Sequence, residues 1–444
     1  LRGSIDATIA VAAVKGSDAR ESRPGQGVFR KRERVQNSEN KLGWDAALGD
    51  KSAMSISRRT LLQSSLLGAV GVVQGSSPAR AQEASASPSP NERRKMAGLA
   101  AGFMDAYDVP GLSVAIAIKG KSGYAEAFGV ADRETGEALT PQHRFRIASI
   151  SKPITSTGIF SLIEAGKLKL DSRVFGSNSI LGDDYYATPY RGLFNLLPGN
   201  RSFVEEITIE HLLTHTVGAW GNTANDPMFT SRDMSHRELI AWTLGHMPLT
   251  APPGTSFAYS NFGYCILGRV IEKLTGQTYE QYIKDIILRR CEISDMRIAG
   301  NTLEQRAANE VKYYSQPSEN PYGMNVARMD SHGGWIATPR DLTAFFVHID
   351  GFKDTSQLLG DDTLRIMTTP TSANPGYAKG LFVNSRNNWW HNGSLPGTAT
   401  ISVRTSTDFC WSAFTNTRSK LPDMARALDL LVWRMARSVA DWHP

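Results

Sequence analysis

Cysteine is scarce in this 444-residue chain. The three present, Cys265, Cys291 and Cys410, form no C-x-x-C pair and are too few for a disulfide framework. Cys265 falls in an apolar helical pattern and Cys410 in a strand pattern, so buried free thiols are expected, with one disulfide left open for an oxidising compartment. No apolar run is long enough for a stable membrane span. Net charge is also missing from most of the chain. Residues 1–81 hold 13 of the 49 Lys+Arg and 7 of the 43 Asp+Glu, which leaves 36 against 36 for residues 82–444 and accounts for the whole formal +6. A formally neutral body offers no electrostatic case for nucleic acid. His211 and His215 stand at i and i+4, a metal-ligand spacing, but no glutamate follows His211 and no third ligand is evident. A structural role is preferred for both, and no metal or cofactor is expected.

Taken in order, residues 1–53 lack apolar periodicity and read as an upstream or disordered segment. Met54 is the first methionine and the expected start of an export signal spanning 54–81: Arg58-Arg59, an apolar stretch to about Val73, then Ala79-Arg80-Ala81 as a small-residue cleavage site. The paired arginines resemble a twin-arginine signal, so a periplasmic or secreted protein is expected. Residues 82–91 read as a linker. A helix is expected over 92–107, then strands over 112–118 and 123–130 with a turn at Lys119-Gly120-Lys121. Residues 173–203, with Tyr185, Tyr186, Tyr190 and Phe194, read as either a functional flap or a surface loop. Thr208 caps a helix expected to run through His215. Capping boxes begin at Ser235 and Thr278, and Gly276 closes the helix that starts near Asn261. Thr338 caps another. Residues 377–384, 387–391, 399–405 and 409–416 alternate as strands of an antiparallel meander, and a last amphipathic helix spans about 422–439. The pattern is that of an α/β fold: 92–145 plus 311–444 supply an antiparallel sheet flanked by N- and C-terminal helices, and 146–310 form an inserted helical region.

Chemistry concentrates at Phe145-Arg146-Ile147-Ala148-Ser149-Ile150-Ser151-Lys152-Pro153. With a helix from Ile150 onward, Lys152 lies one turn beyond Ser149 on the same face. A serine hydroxyl needs a base, and a lysine serves only when its pKa is pushed down from about 10.4. The positive end of a helix helps on both counts, by disfavouring the ammonium and stabilising charge on the serine oxygen. Ser38-Glu39-Asn40-Lys41 has the same spacing in a polar stretch without helical periodicity, so context must separate the two. Tyr259-Ser260-Asn261 is the only Y-x-N in the chain. A tyrosine beside a lysine relays its proton, and the asparagine amide holds a substrate carbonyl or the lysine. Trp390-His391-Asn392-Gly393-Ser394 lies on an edge-like strand, where a glycine admits substrate and the next backbone N–H points at an oxyanion.

In this order and at these separations the three stretches resemble the serine hydrolases of the penicillin-binding-protein and class C β-lactamase superfamily, which includes family VIII esterases and D-amino-acid-specific peptidases. Leu212-Leu213-Thr214-His215-Thr216 and Gly333-Gly334-Trp335 look like further landmarks. The resemblance covers about 90–440 and implies a β-lactamase/transpeptidase-like fold. It implies Ser149 as the acylated nucleophile, Lys152 and Tyr259 as the proton-transfer pair, and Asn261 orienting substrate. It also implies an oxyanion hole from the Ser149 and Ser394 N–H groups, with His391 and Gly393 at the substrate strand. His391 stands where β-lactamases and transpeptidases carry a lysine that binds a substrate carboxylate, and an unperturbed imidazole is mostly uncharged near neutral pH. The expectation is therefore an exported esterase for small to medium acyl groups. The alternatives are a D-amino-acid peptidase or amidase, a weak β-lactamase, a D-alanyl-D-alanine carboxypeptidase, or a non-catalytic penicillin-binding-like sensor domain. The partner is a small-molecule ester, amide or peptide, and the oligomeric state is not legible.

Overall fold

Ser89 adopts an extended backbone, accepts from the Glu92 amide and donates its own amide to the Glu92 carboxylate, a reciprocal cap that starts the helix Pro90–Tyr107. This is the first element of a computed structural model describing residues 88–185, 200–230, 232–419, 421 and 424–442. All of these belong to one compact unit. The expected leader, the Ser38/Lys41 pair, and Tyr186, Tyr190 and Phe194 lie outside the described residues.

In chain order the strands are β1 (Gly111–Ile118), β2 (Lys121–Asp132), β3 (Glu137–Ala138), β4 (Phe145–Arg146), β5 (Arg297–Ile298), β6 (Trp335–Ala337), β7 (Phe382–Val383), β8 (Trp389–Leu395), β9 (Thr398–Arg404) and β10 (Phe409–Thr415). Lys119 and Gly120 both take positive φ, 47° and 73°, the twist-matched pattern of a two-residue hairpin, so β1 turns directly into β2. One antiparallel sheet runs β3-β2-β1-β10-β9-β8-β7, and β4, β6 and β5 make a second, small one. The meander is therefore present as β7 to β10, and β10 pairs back onto β1 from Leu112↔Thr415 to Ile118↔Phe409. Every residue of β1 is buried, because both faces of the sheet are covered there. The helices Pro90–Tyr107 and Met424–Arg437 pack together and on the sheet, and the helix Pro339–Val347 packs on β1, β9 and β10.

Between β4 and β5 come the helices that shape the site. Ser235 and Thr278 cap the helices His236–His246 and Tyr279–Ile286, and Gly276, at φ 70°, ends Asn261–Thr275. The helix Ser151–Glu164 is buried along most of its length by Asn261–Thr275 and Tyr279–Ile286. Two local expectations need correction. Ser149 lies in a tight 3₁₀ turn, Ala148–Ile150, ahead of the α-helix, with Ala148 left-handed at φ 48°. The helix capped by Thr208 ends at Leu213, because His215 turns the chain away at φ 59°. Tyr185, within the expected 173–203 loop, packs edge-on against Phe175 beneath the Arg237 guanidinium. All three cysteines are buried and unpaired.

Candidate active site

Lys152 is fully buried, yet its Nζ meets three oxygens: Ser149 Oγ at 3.1 Å, Asn261 Oδ1 at 2.8 Å and the His332 carbonyl at 3.0 Å. Burial lowers its pKa to about 7 against the opposing pull of Asp226. A neutral amine has two hydrogens and one lone pair. The Asn261 and His332 oxygens can only accept, so they take the two hydrogens, and the lone pair is left for the Ser149 hydroxyl. The nucleophile and its base are thus oriented by hydrogen-bond arithmetic.

Tyr259 and Asn261 reach this place through the turn at His215. The His215 carbonyl accepts from the Ala258 amide at 2.8 Å, and the Thr216 carbonyl from Gly254 at 2.7 Å. His215 Nδ1 accepts from the Ser260 amide at 3.0 Å, which fixes the tautomer so that Nε2–H donates to the Tyr377 hydroxyl at 3.0 Å. The imidazole packs 4.3 Å from the Tyr259 ring, centre to centre. Lys152 Nζ lies 4.8 Å from the centre of the same ring. Burial raises the Tyr259 pKa, with a hydrogen bond to the Ser149 side chain pulling the other way, so the phenol keeps its proton at neutral pH. His211, meanwhile, accepts from the Thr208 amide through Nδ1 as part of its helix cap.

The third stretch closes the site from the sheet. A Cβ on Gly393 would stand 2.1 Å from the Ile147 carbonyl oxygen and 2.4 Å from Thr400 Oγ1, so only glycine lets β8 lie this close to the turn bearing Ser149. Thr400 donates to that same carbonyl at 3.0 Å and locks β9 to the turn. Gly393→Ala is expected to cost about 1–3 kcal/mol of stability or to displace β8. Thermal melting with steady-state kinetics checks this, and an unchanged melting temperature together with unchanged turnover would contradict it. His391 is only 1 % exposed. Its Nδ1 donates to the Asn392 carbonyl at 2.7 Å, Nε2 faces the Tyr377 hydroxyl at 3.4 Å, and burial reinforced by Lys152 lowers its pKa to about 3. It is a neutral imidazole. Ser394 is exposed, and its hydroxyl accepts from Arg418, whose guanidinium is paired with Glu319 at 2.7 Å.

Lys152 thus touches Ser149 and Asn261 and lies by the Tyr259 ring, Gly393 lies against the turn that bears Ser149, the His391 ring is 6.2 Å from that of Tyr259, and Ser394 is exposed. Sequence reasoning missed Asp226, Asn222, the His332 carbonyl and Tyr377. The Gly333-Gly334-Trp335 landmark was a signal for one of these. The Met329 carbonyl accepts from the His332, Gly333 and Gly334 amides and so turns the His332 carbonyl toward Lys152. Nothing in the local sequence marks the other three.

A family model described as Beta-lactamase matches residues 96–432. Penicillin-binding protein 4 of Amycolatopsis lactamdurans is 31% identical over 183 residues, which is 40% of this chain and 42% of that protein. Esterase EstB of Burkholderia gladioli is 29% identical over 236 residues, 50% of this chain and 56% of that one. The chain spans about half the length of these curated relatives. Among solved structures, the D-amino acid amidase from Ochrobactrum anthropi SV3 complexed with L-phenylalanine amide superposes with a TM-score of 0.62 at 20% identity, over 79% of this chain and 98% of that one. The octameric penicillin-binding protein homologue from Pyrococcus abyssi gives 0.59 at 24% identity over 77% of each chain. Both likenesses are of fold.

Proposed function

The chain belongs to the Beta-lactamase family, and on that footing we propose that it is an exported serine hydrolase working through a covalent acyl-enzyme on Ser149, with esters of small to medium acyl groups as substrates. The observation that carries the reading is the buried Lys152, whose lone pair is left facing Ser149 Oγ at 3.1 Å. Ser149 Oγ attacks the ester carbonyl carbon as its proton passes to Lys152 Nζ. The tetrahedral oxyanion rests on the N–H groups of Ser149 and Ser394. The carbon–oxygen bond to the alcohol then breaks, with the proton delivered through Lys152 and the Tyr259 phenol, and water resolves the acyl-serine by the reverse transfer. Residues 92–145 with 311–444 supply the sheet side of the site, and 146–310 supply the nucleophile, lysine and tyrosine. The leader at 54–81 supports export.

The preference for esters rests on charge. β-Lactams and cell-wall peptides present a free carboxylate, but burial holds His391 neutral, and Arg418 beside Ser394 is already paired with Glu319. A neutral ester needs no fixed cation, and the name of esterase EstB agrees with this reading. The test is a panel of p-nitrophenyl acyl esters beside nitrocefin and a D-alanyl anilide. Ester kcat/KM at least about tenfold above both is expected, a gap of about 1.4 kcal/mol in transition-state binding. Preference for nitrocefin or the anilide would overturn the ester assignment.

A further inference from the structure

We infer that Asp226 is a positioning residue for Lys152, a buried carboxylate that fixes which way the Asn261 amide faces and therefore which atom the lysine meets. Asp226 has no exposed surface. Its Oδ1 accepts from the Met228 amide at 2.9 Å and its Oδ2 from Asn261 Nδ2 at 2.8 Å. The second hydrogen of that Nδ2 goes to Asn222 Oδ1 at 3.2 Å. Burial raises the Asp226 pKa, and the bonds from Asn261 and Met228 and the nearby Lys152 pull it back; both oxygens accept and neither needs to donate, as an ionised carboxylate requires.

This arrangement changes the part given to Asn261. With both amide hydrogens committed to Asp226 and Asn222, none is left for a substrate carbonyl, and a flipped amide would set its oxygen against the acceptor-only Asp226 carboxylate. Asn261 Oδ1 is therefore held on Lys152 Nζ at 2.8 Å, and the amide serves the base rather than the substrate.

The charge of Asp226 matters separately from its shape. The titratable groups facing Lys152 are His215, His332, His391, Tyr259, Tyr264 and Asp226. Burial keeps the three imidazoles and the two phenols neutral, so among the described residues Asp226 is the group that opposes desolvation of the ammonium. Without it the lysine gives up its proton at lower pH.

The plain competing role is a cap, because the bond to Met228 lies at the start of the short helix Pro227–Thr230. Asparagine caps as well as aspartate, so Asp226→Asn keeps the cap to Met228 while removing the charge, and it sets an NH2 against Asn261 Nδ2 in place of the second acceptor. The inference rests on the hydrolase reading above, and the test is the pH profile of ester kcat/KM for the full chain and for Asp226→Asn, with Ser149→Ala as background. The acid limb of the variant is expected about one pH unit lower, with kcat reduced because the Asn261 amide loses its acceptor. Asp226→Ala, which also frees the amide to turn, is expected to lower kcat about tenfold or more with little change in KM. An acid limb in Asp226→Asn that superimposes on the parent's, with Ser149-dependent turnover intact, would overturn the inference. No Ser149-dependent turnover in the parent would instead overturn the proposed function, and the inference with it.

Discussion

Replacing Ser149 by alanine is expected to lower ester turnover by a factor on the order of 10⁴ or more and to leave the fold intact. The size of the loss follows from the chemistry. Lys152 faces Ser149 Oγ with its lone pair, and the neighbouring Ser151 is no substitute, since it is turned away and donates to the Ala148 carbonyl at 2.7 Å. Without Oγ no acyl-enzyme forms, and water attacking directly would lack the same placement. The fold is spared because Ser149 holds the 3₁₀ turn through its backbone, while its partly exposed side chain contributes little packing. Active-site titration and thermal melting check both halves. Residual turnover within about tenfold of the parent would mean that another group carries the reaction.

Much of this site is legible in the sequence because its parts are local. Ser149 and Lys152 share a helical turn, Tyr259 and Asn261 are two apart at a helix start, and the Gly393 strand has an alternating flank. Each spacing carries its own geometry, and their order identifies the family before any coordinate is known. The sheet is legible for the same reason, since β1, β2 and β8 to β10 are long enough to show alternation. The second sheet is not, because strands as short as β4 and β5, two residues each, have no period to read. Asp226 is illegible for a different reason. It precedes Pro227 as any turn aspartate would, and only folding brings it to an asparagine 35 residues away. The placement of Ser149 ahead of the α-helix also turns on tertiary contact. Thr400 donates to the Ile147 carbonyl, and the absence of a side chain at Gly393 lets β8 lie against it.

Lys152→Met is expected to depress turnover by roughly 10³ or more while keeping the chain folded. Methionine fills the buried volume without an amine, whereas Lys152→Ala would also leave a cavity. Either change leaves the Asn261 and His332 oxygens without their donor, at about 1–3 kcal/mol for each unpaired group. Lys152→Arg does not rescue activity, because a guanidinium stays charged in this environment and has no lone pair to offer. The pH dependence follows with a definite sign. Burial depresses the Lys152 pKa to about 7, so the free amine is populated above that value and lost below it. Tyr259, raised by burial, stays protonated across the same range and adds no second limb near neutrality.

The most direct measurement is therefore the rate at which a fluorophosphonate probe labels Ser149, followed by mass mapping across pH in the full chain and in Lys152→Met. The expected result is a single adduct on Ser149 whose rate rises through about pH 7, with a flat and far slower rate in the variant. A Ser149 adduct whose rate is indifferent to both pH and Lys152, or no adduct on Ser149 at any pH, would contradict an amine-activated serine.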